Sequence, residues 1–238
     1  PRGERLHALT SPARYRALMA LMLLAPETPL LFMGQEFGAS SPFLFFADHQ
    51  KGLAEVVHRG RQKFLAQFPS YATPESQAQV PDPSAPSTFE RSKLDMTERT
   101  SHGELYRFHR DLLRLRREDP IVAAQARDRI DGAVLGPGAL VIRFFGGDGD
   151  DRLLCVNLGA DLAYDPAPEP LLAPIQGGSW KLIWSSDDPL YGGPGRPNVS
   201  GEEGWRLPAE SAVFFAAVPT LDDGKGGPPC PHRAAPPE

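Results

Sequence analysis

The sequence predicts the end of a TIM-type α/β barrel followed by an all-β antiparallel sandwich, and three observations carry that reading. A helix-period stripe runs straight into a short continuous apolar run that ends in Gly34-Gln35-Glu36. A second strongly amphipathic segment then stops at Pro120. Beyond it the texture changes to short runs of Val, Ile, Leu and aromatic residues separated by turn formers. Helices that alternate with buried strands build α/β layers, whereas many short strands between Gly-rich and Pro-rich turns build sandwiches.

The first helix is predicted over 12–25. Ser11 offers an N-cap oxygen, Pro12 occupies the first turn where its missing N–H costs nothing, and Tyr15, Leu18, Met19 and Met22 recur at helical spacing. Pro26 ends it. A strand is predicted over 30–33, because about four apolar residues between breakers fit a parallel strand covered on both faces. The carboxyl ends of such strands carry the chemistry in an α/β barrel, so Gln35 and Glu36 become candidate site residues. Glu36 equally suits a purely local role, holding the following loop by hydrogen bonds.

Further along, a helix over 53–67 places Leu53, Val56, Val57, Phe64 and Leu65 on one face, with Arg59, Arg61 and Lys63 exposed. Residues 69–100 are rich in Pro, Ser and Thr, so regular structure there is predicted to be short. The next helix has the Ser101 and Glu104 spacing of a capping box and an apolar stripe of Leu105, Phe108, Leu112 and Leu115. Arg114, Arg116 and Arg117 fall in its last turns, where cations meet the negative end of the helix dipole. Strands follow over 139–145, 153–157, 181–184 and 211–217, with the glycine-rich stretches 146–150 and 192–195 as turns. Neither stretch has the Gly-Lys-Ser/Thr or Gly-x-Gly-x-x-Gly pattern of a phosphate loop. The predicted division is residues 1–120, 121–219 and a tail, 220–238, whose Gly and Pro content is too poor in apolar groups to offset the entropy of ordering.

Composition narrows the function classes. The chain has 238 residues with a formal charge of −5, which argues against a nucleic-acid or anionic-membrane partner because phosphate binding depends on clustered Lys and Arg. No apolar run approaches the roughly 18 residues of a membrane span, so a cytoplasmic polypeptide is expected. Two cysteines, Cys155 in an apolar run and Cys230 in the tail, predict no disulfide. The six histidines are scattered without His-x-x-x-His spacing, no Cys-x-x-Cys occurs, and no Gly-x-Ser-x-Gly elbow is present; neither a metal, a cofactor nor a serine nucleophile is expected.

Three segments resemble a known family. Gly34-Gln35-Glu36-Phe37-Gly38 with Phe45-Phe46-Ala47-Asp48-His49, then Pro81-Asp82-Pro83 with Thr88-Phe89-Glu90-Arg91-Ser92-Lys93-Leu94-Asp95, and the stretch from Leu105 to Pro120 are similar to the late barrel of malto-oligosyltrehalose trehalohydrolases, a branch of the alpha-amylase superfamily. The resemblance implies an enzyme that cleaves the alpha-1,4 bond next to a terminal trehalose unit, with an alpha-glucan such as maltooligosyl-trehalose as partner and no cofactor. It also implies that the nucleophile, the general acid and a third carboxylate lie on earlier strands. The last of these sits in an Asn-His-Asp motif just before the position of Gly3-Glu4-Arg5. None of the three has a counterpart here, so the chain is expected to be a C-terminal part without catalytic residues. Gln35, Glu36, Asp48 and His49 would line the substrate site.

Other readings of the same residues stand beside this one. Asp48 would cap the helix near Leu53 or a local turn. Glu36 and Asp48 would form a self-contained glycosidase pair if they lay roughly 5 to 10 Å apart. A glycogen branching enzyme shares the fold, and the stretch 37–49 favours the trehalohydrolase. A carbohydrate-binding module would use Trp180, Trp184 and Trp205 as sugar platforms, against their packing as core. Because a complete barrel needs roughly 250 residues, only a barrel fragment fits, and exposed apolar surface with poor solubility is expected.

Overall fold

The computed structural model describes residues 3–167, 169–201 and 204–219. Its centre is a five-stranded antiparallel sheet buried on both faces. In chain order the strands are β1 (Ile130–Gly136), β2 (Ala139–Phe144), β3 (Arg152–Asn157), β4 (Leu162–Tyr164), β5 (Gly178–Ser185), β6 (Ser200–Gly201), β7 (Gly204–Leu207) and β8 (Ser211–Pro219). The large sheet has the order β1-β2-β3-β8-β5, and a smaller one has the order β4-β7-β6. The four predicted strands are present as β2, β3, β5 and β8. The other four are short or glycine-bearing pieces that do not stand out in the sequence.

Period-two geometry explains why β3 and β8 read as unbroken apolar runs. Successive side chains on a strand point to opposite faces. Leu154 and Val156 of β3, with Ala212 and Phe214 of β8, face one core; Leu153, Cys155, Val213 and Phe215 face another. The pairing register places Leu154 opposite Phe214 and Leu153 opposite Phe215. The second core is closed by Trp205 and Leu207 of the small sheet, which makes the sandwich.

The first core is closed by helices. Helix α1 (Pro12–Leu24) contributes Tyr15, Met19, Ala20, Leu23 and Leu24; its predicted cap is made, with Ser11 Oγ accepting from the Arg14 N–H at 3.1 Å. Helix α3 (Gly103–Glu118), the third of the three long helices, contributes Phe108 and Leu112 to the same core. Between the two runs α2 (Lys51–Leu65), and the stretch 69–100 holds only short helical turns, as its prolines predict.

Several local expectations fail for physical reasons. Residues 28–32 have irregular backbone instead of a strand, and Leu30 is 87% exposed. A parallel strand needs neighbours for its N–H and C=O groups, and no neighbouring strand flanks this stretch among the described residues. Helix α2 forms, but its apolar face is only partly covered: Val57 and Leu65 are half-buried, whereas Leu53 is 52% and Phe64 is 58% exposed. Arg61, expected in solvent, instead sits 4.5 Å above the Phe45 ring. The Ser101–Glu104 capping box is absent because Ser101 ends a preceding turn, Glu98–Ser101, and the cap position of α3 falls on His102 without a side-chain bond. Asp48 caps nothing at α2, whose cap position is Gln50.

Arg116 shows the sharpest difference. Read as compensation for its own helix dipole, it instead turns inward and donates to the carbonyls of Leu23, Ala25 and Glu27 at 2.8, 2.5 and 2.7 Å. Those carbonyls lie in and just past the last turn of α1, whose carbonyls lack partners within the helix, so one guanidinium ties the two helices together. On the opposite side, Asp119 caps the turn Pro120–Ala123 and accepts from Arg152 of β3 at 2.7 Å, which fixes α3 to the sheet. Cys155 is a free, fully buried thiol whose pKa is pushed up by that burial. Cys230 and the predicted disordered tail lie outside the described residues.

Candidate functional site

The segments that carry the resemblance are distant in sequence and adjacent in space. The Leu44 N–H donates to Ser92 Oγ at 3.1 Å, and the Ala47 N–H donates to the Pro83 carbonyl at 3.0 Å. Ser92 Oγ in turn donates to the Thr88 carbonyl at 2.9 Å, and Phe46 packs edge-on to Phe89 with ring centroids 5.1 Å apart. The segment from Thr88 to Asp95 thus clamps the stretch from Phe43 to His49.

The amino-terminal residues hold that stretch from the other side. Phe43 donates its N–H to the Gly3 carbonyl at 2.9 Å, while Arg5 reaches the Ser41 carbonyl through Nε at 2.6 Å and the Met33 carbonyl through Nη1 at 2.8 Å. Gly34 makes the tight bend before the site turn. Its φ of +77° suits glycine, and a Cβ there would lie 2.7 Å from a Leu94 methyl. The turn Gln35–Phe37 follows directly.

These contacts enclose a cleft of about 340 Å³ whose lining includes Arg5, His7, Tyr15, Phe32, Gln35 and Phe43. Phe32 and Phe43 meet edge to face at 4.4 Å, giving the cleft an aromatic wall. Of the sequence candidates, only Gln35 lines it. Gln35 is also fixed structurally: its Oε1 accepts from the Phe32 N–H at 3.0 Å, its Nε2 faces Met19 Sδ at 2.9 Å, and its carbonyl accepts from Tyr15 Oη at 3.1 Å. Glu36 is half-buried on the same turn, and its charge reinforces the upward shift that burial imposes on the Tyr15 phenol. Asp48 is exposed and His49 half-buried on the neighbouring stretch, and neither lines the cleft. The structure therefore does not assemble the four candidates around one space. Arg5 and Phe32 sit in irregular segments and His7 in a single helical turn, Leu6–Leu9, too short for periodicity to mark which side chain turns inward.

Beneath the cleft lies His109 on α3, 1% exposed. Its Nδ1 donates to the Leu105 carbonyl at 2.9 Å, and its Nε2 is buried without a partner, so the ring is neutral. Burial, opposed weakly by that carbonyl and by the Glu36 charge, holds its pKa below the ordinary value of 6.5. The unfolded chain takes up a proton near that ordinary value and the folded chain does not. Stability is therefore full above it and falls as pH drops below it. Urea unfolding followed at about pH 7.5 and about pH 5.5, either side of the ordinary His value, is expected to give the lower midpoint in acid, with His109→Gln flattening the difference.

Among the described residues no three His, Cys, Asp or Glu side chains gather as a metal site, and no helix is long and apolar enough to cross a membrane. The tryptophans settle into the two cores: Trp184 and Trp205 are buried, and Trp180 donates Nε1–H to the Leu172 carbonyl at 2.9 Å.

The fold is that of an alpha-amylase-type enzyme at the end of its barrel, with the antiparallel sheets that follow. An alpha-amylase-class protein of Salmonella typhimurium has the same fold over 91% of this chain, at 29% identity and a TM-score of 0.67, with 32% of its own length covered. The catalytic module of the glycogen-degrading pneumococcal virulence factor SpuA matches 86% of the chain and 31% of its own length at 16% identity and a TM-score of 0.54. Residues 127–214 match a domain of unknown function, DUF3459. In sequence the chain resembles part of a malto-oligosyltrehalose trehalohydrolase. The enzyme of that name from Deinococcus radiodurans is 43% identical over 167 residues, which are 68% of this chain and 26% of the relative. That from Mycobacterium tuberculosis is 34% identical over 193 residues, 80% of this chain and 30% of the relative. The chain thus spans between a quarter and a third of these curated relatives.

Proposed function

We propose that this chain is a C-terminal part of a glycoside hydrolase that releases trehalose from maltooligosyl-trehalose by cleaving the adjacent alpha-1,4 bond with retention. The single observation that carries the reading is the 43% identity to the Deinococcus radiodurans trehalohydrolase, sustained over more than two thirds of the chain. Retaining cleavage needs one carboxylate as nucleophile and a second as acid and base, about 5 Å apart, around an oxocarbenium-like transition state. In this proposal those carboxylates come from residues outside the 238. The chain supplies part of the wall of the site: Gln35 and Glu36 on their turn, and Asp48 and His49 on the stretch clamped by the Thr88–Asp95 segment. Phe32 and Phe43 offer ring faces against which the apolar side of a glucosyl unit stacks. The proposed setting is the cytoplasm.

The test is product analysis with a polypeptide in which this chain is joined to the length its relatives have. Trehalose is the expected product from maltooligosyl-trehalose, and the 238 residues assayed alone are expected to release none. A glucan lengthened or branched by transfer, without trehalose, would overturn the reading in favour of a glucanotransferase.

A further inference from the structure

Four arginines are buried among the described residues, and three of them are well supplied with partners. Arg116 donates to three carbonyls, Arg143 pairs with Asp151 and reaches two carbonyls, and Arg152 pairs with Asp119 and Asp150. Arg16 of α1, 7% exposed, differs. Its Nε–H donates to the Ser186 carbonyl at 2.9 Å, and neither Nη group has a hydrogen bond or an ion pair among the described residues. A guanidinium carries five N–H donors, so four are left over on a buried cation. Burying a charge without partners is costly, which is why buried charges are paired. Burial holds Arg16 below its ordinary pKa in spite of Asp187 and Glu104, so the surrounding carboxylates do not make up for the water it has lost.

Arg16 lines a cleft of about 830 Å³ at the seam between the helical and the strand-rich halves. An unsatisfied guanidinium thus borders an open space within the size range of small-ligand sites. The start of α3 lines the same cleft with His102, Gly103, Glu104 and Leu105. Helix α3 is 16 residues long, and its cap position, His102, makes no side-chain bond, so the first N–H groups of the helix lack acceptors among the described residues. Aligned peptide dipoles put roughly half a positive charge at that end. His102 lies 2.9 Å from the Phe37 carbonyl through Nδ1, which must therefore carry a proton, and a second proton at Nε2 turns the ring into a further donor. Against these stands Glu104, the only acid on the lining among the described residues; it is exposed, and Arg107 on the same lining offsets it.

The donors select the ligand. A guanidinium fork and the N–H groups of a helix start both recognise oxyanions. One fork alone fills the two oxygens of a planar carboxylate. Donors from two further sources, the start of α3 and His102, suit the three oxygens of a phosphate group. The cleft is also larger than a phosphate by itself requires, which leaves room for an organic part.

We propose that this cleft binds a phosphate group, free or carried by a small molecule, between the Arg16 guanidinium and the start of α3. The inference stands on those two features and does not depend on the hydrolase reading.

The experiment is a calorimetric titration of the 238-residue chain, and of the polypeptide extended to the length of its relatives, with inorganic phosphate, glucose 6-phosphate and glucose. At least one phosphate is expected to bind with a Kd of about 1 mM or less and glucose not to bind, and the tighter phosphate tells whether the group is taken free or esterified. Arg16→Gln is expected to weaken binding about ten-fold or more. Glu104→Gln removes a like charge and is expected to tighten binding about two-fold. Because Glu104 is exposed and has no hydrogen bond or ion pair among the described residues, its variant keeps the test decisive if the Arg16 variant does not fold. No binding of either phosphate, glucose bound as well as its phosphate, full affinity in a folded Arg16→Gln chain, or weaker binding in Glu104→Gln would each overturn the proposal. So would phosphate binding by the 238 residues that the extended polypeptide loses, since its own residues would then fill the cleft.

Discussion

Phe108→Ala is expected to destabilise the chain by about 3 to 5 kcal/mol, the cost of emptying a fully buried aromatic site. Phe108 is 0% exposed on α3 and packs against Trp184 at 5.7 Å and Tyr191 at 5.5 Å between ring centroids. It is the point where the helical half meets the strand-rich half. The two rings come from β5 and from the turn that follows it, both with fixed backbones, so the cavity has little means to collapse. Loss of this size is about a fifth or more of the stability of an ordinary domain. Chemical denaturation checks it: the midpoint should fall with the slope unchanged. A shift under about 1 kcal/mol would mean that the two halves do not share a core.

Asp151→Ala is expected to cost a similar 3 to 5 kcal/mol for a different reason. Asp151 Oδ2 accepts from Arg143 Nε at 2.9 Å and Nη2 at 2.7 Å, while its Oδ1 accepts from the Gly146 N–H at 2.9 Å. Both side chains are at most a tenth exposed. Arg143 also donates to the carbonyls of Leu171 and Ala173 and lies 5.2 Å from the Trp180 ring, so it cannot swing into water when its partner is removed. What is lost is less the pair's own attraction than the neutrality of a buried cation. The double replacement Arg143→Met with Asp151→Leu is therefore expected to be less damaging than the single one, measured by the same unfolding curves. A double variant worse than Asp151→Ala would show that the attraction itself dominates.

The contrast between the two halves explains what a reader of the sequence can extract. Strands β3 and β8 are legible because their environment is supplied by this chain on both faces, and their pattern is apolar throughout. Helices α1 and α3 are legible because Tyr15 and Met19, and Phe108 and Leu112, meet the same sheet at helical spacing. Where the partner is missing, the sequence pattern outlives the structure it describes. Leu30, Phe32 and Met33 read as part of a buried strand and stand exposed, and the apolar face of α2 reads as packed and is half open at Leu53, Val56 and Phe64. Of the sixteen large hydrophobic residues that stand exposed among those described, thirteen precede residue 100. That distribution agrees with the expected barrel remnant and its apolar surface.

The site was legible only in part, because the side chains that line a cleft are chosen by tertiary contacts. Gln35, marked by its place after an apolar run, lines the cleft. Arg5 and His7 were not, since nothing periodic marks them. The inward turn of Arg116 was also hidden, because a basic residue near a helix end has two possible carbonyl partners, those of its own helix and those of a neighbour. The carbonyls at the end of α1 prevailed because they lie within reach of a side chain already turned towards the core. The motifs around Phe45-Phe46-Ala47-Asp48-His49 and Thr88 to Asp95 were recognisable as sequence, whereas the Leu44 to Ser92 bond that joins them was not.

One comparison tests the central claim most directly. The polypeptide extended to the length of its relatives should be given maltooligosyl-trehalose and a plain maltooligosaccharide with the same number of glucose units, with the products separated. Trehalose as the disaccharide released, with the plain chain turned over about ten-fold more slowly or worse, is the predicted result. Equal use of the two substrates, or transferred glucan without trehalose, would contradict it.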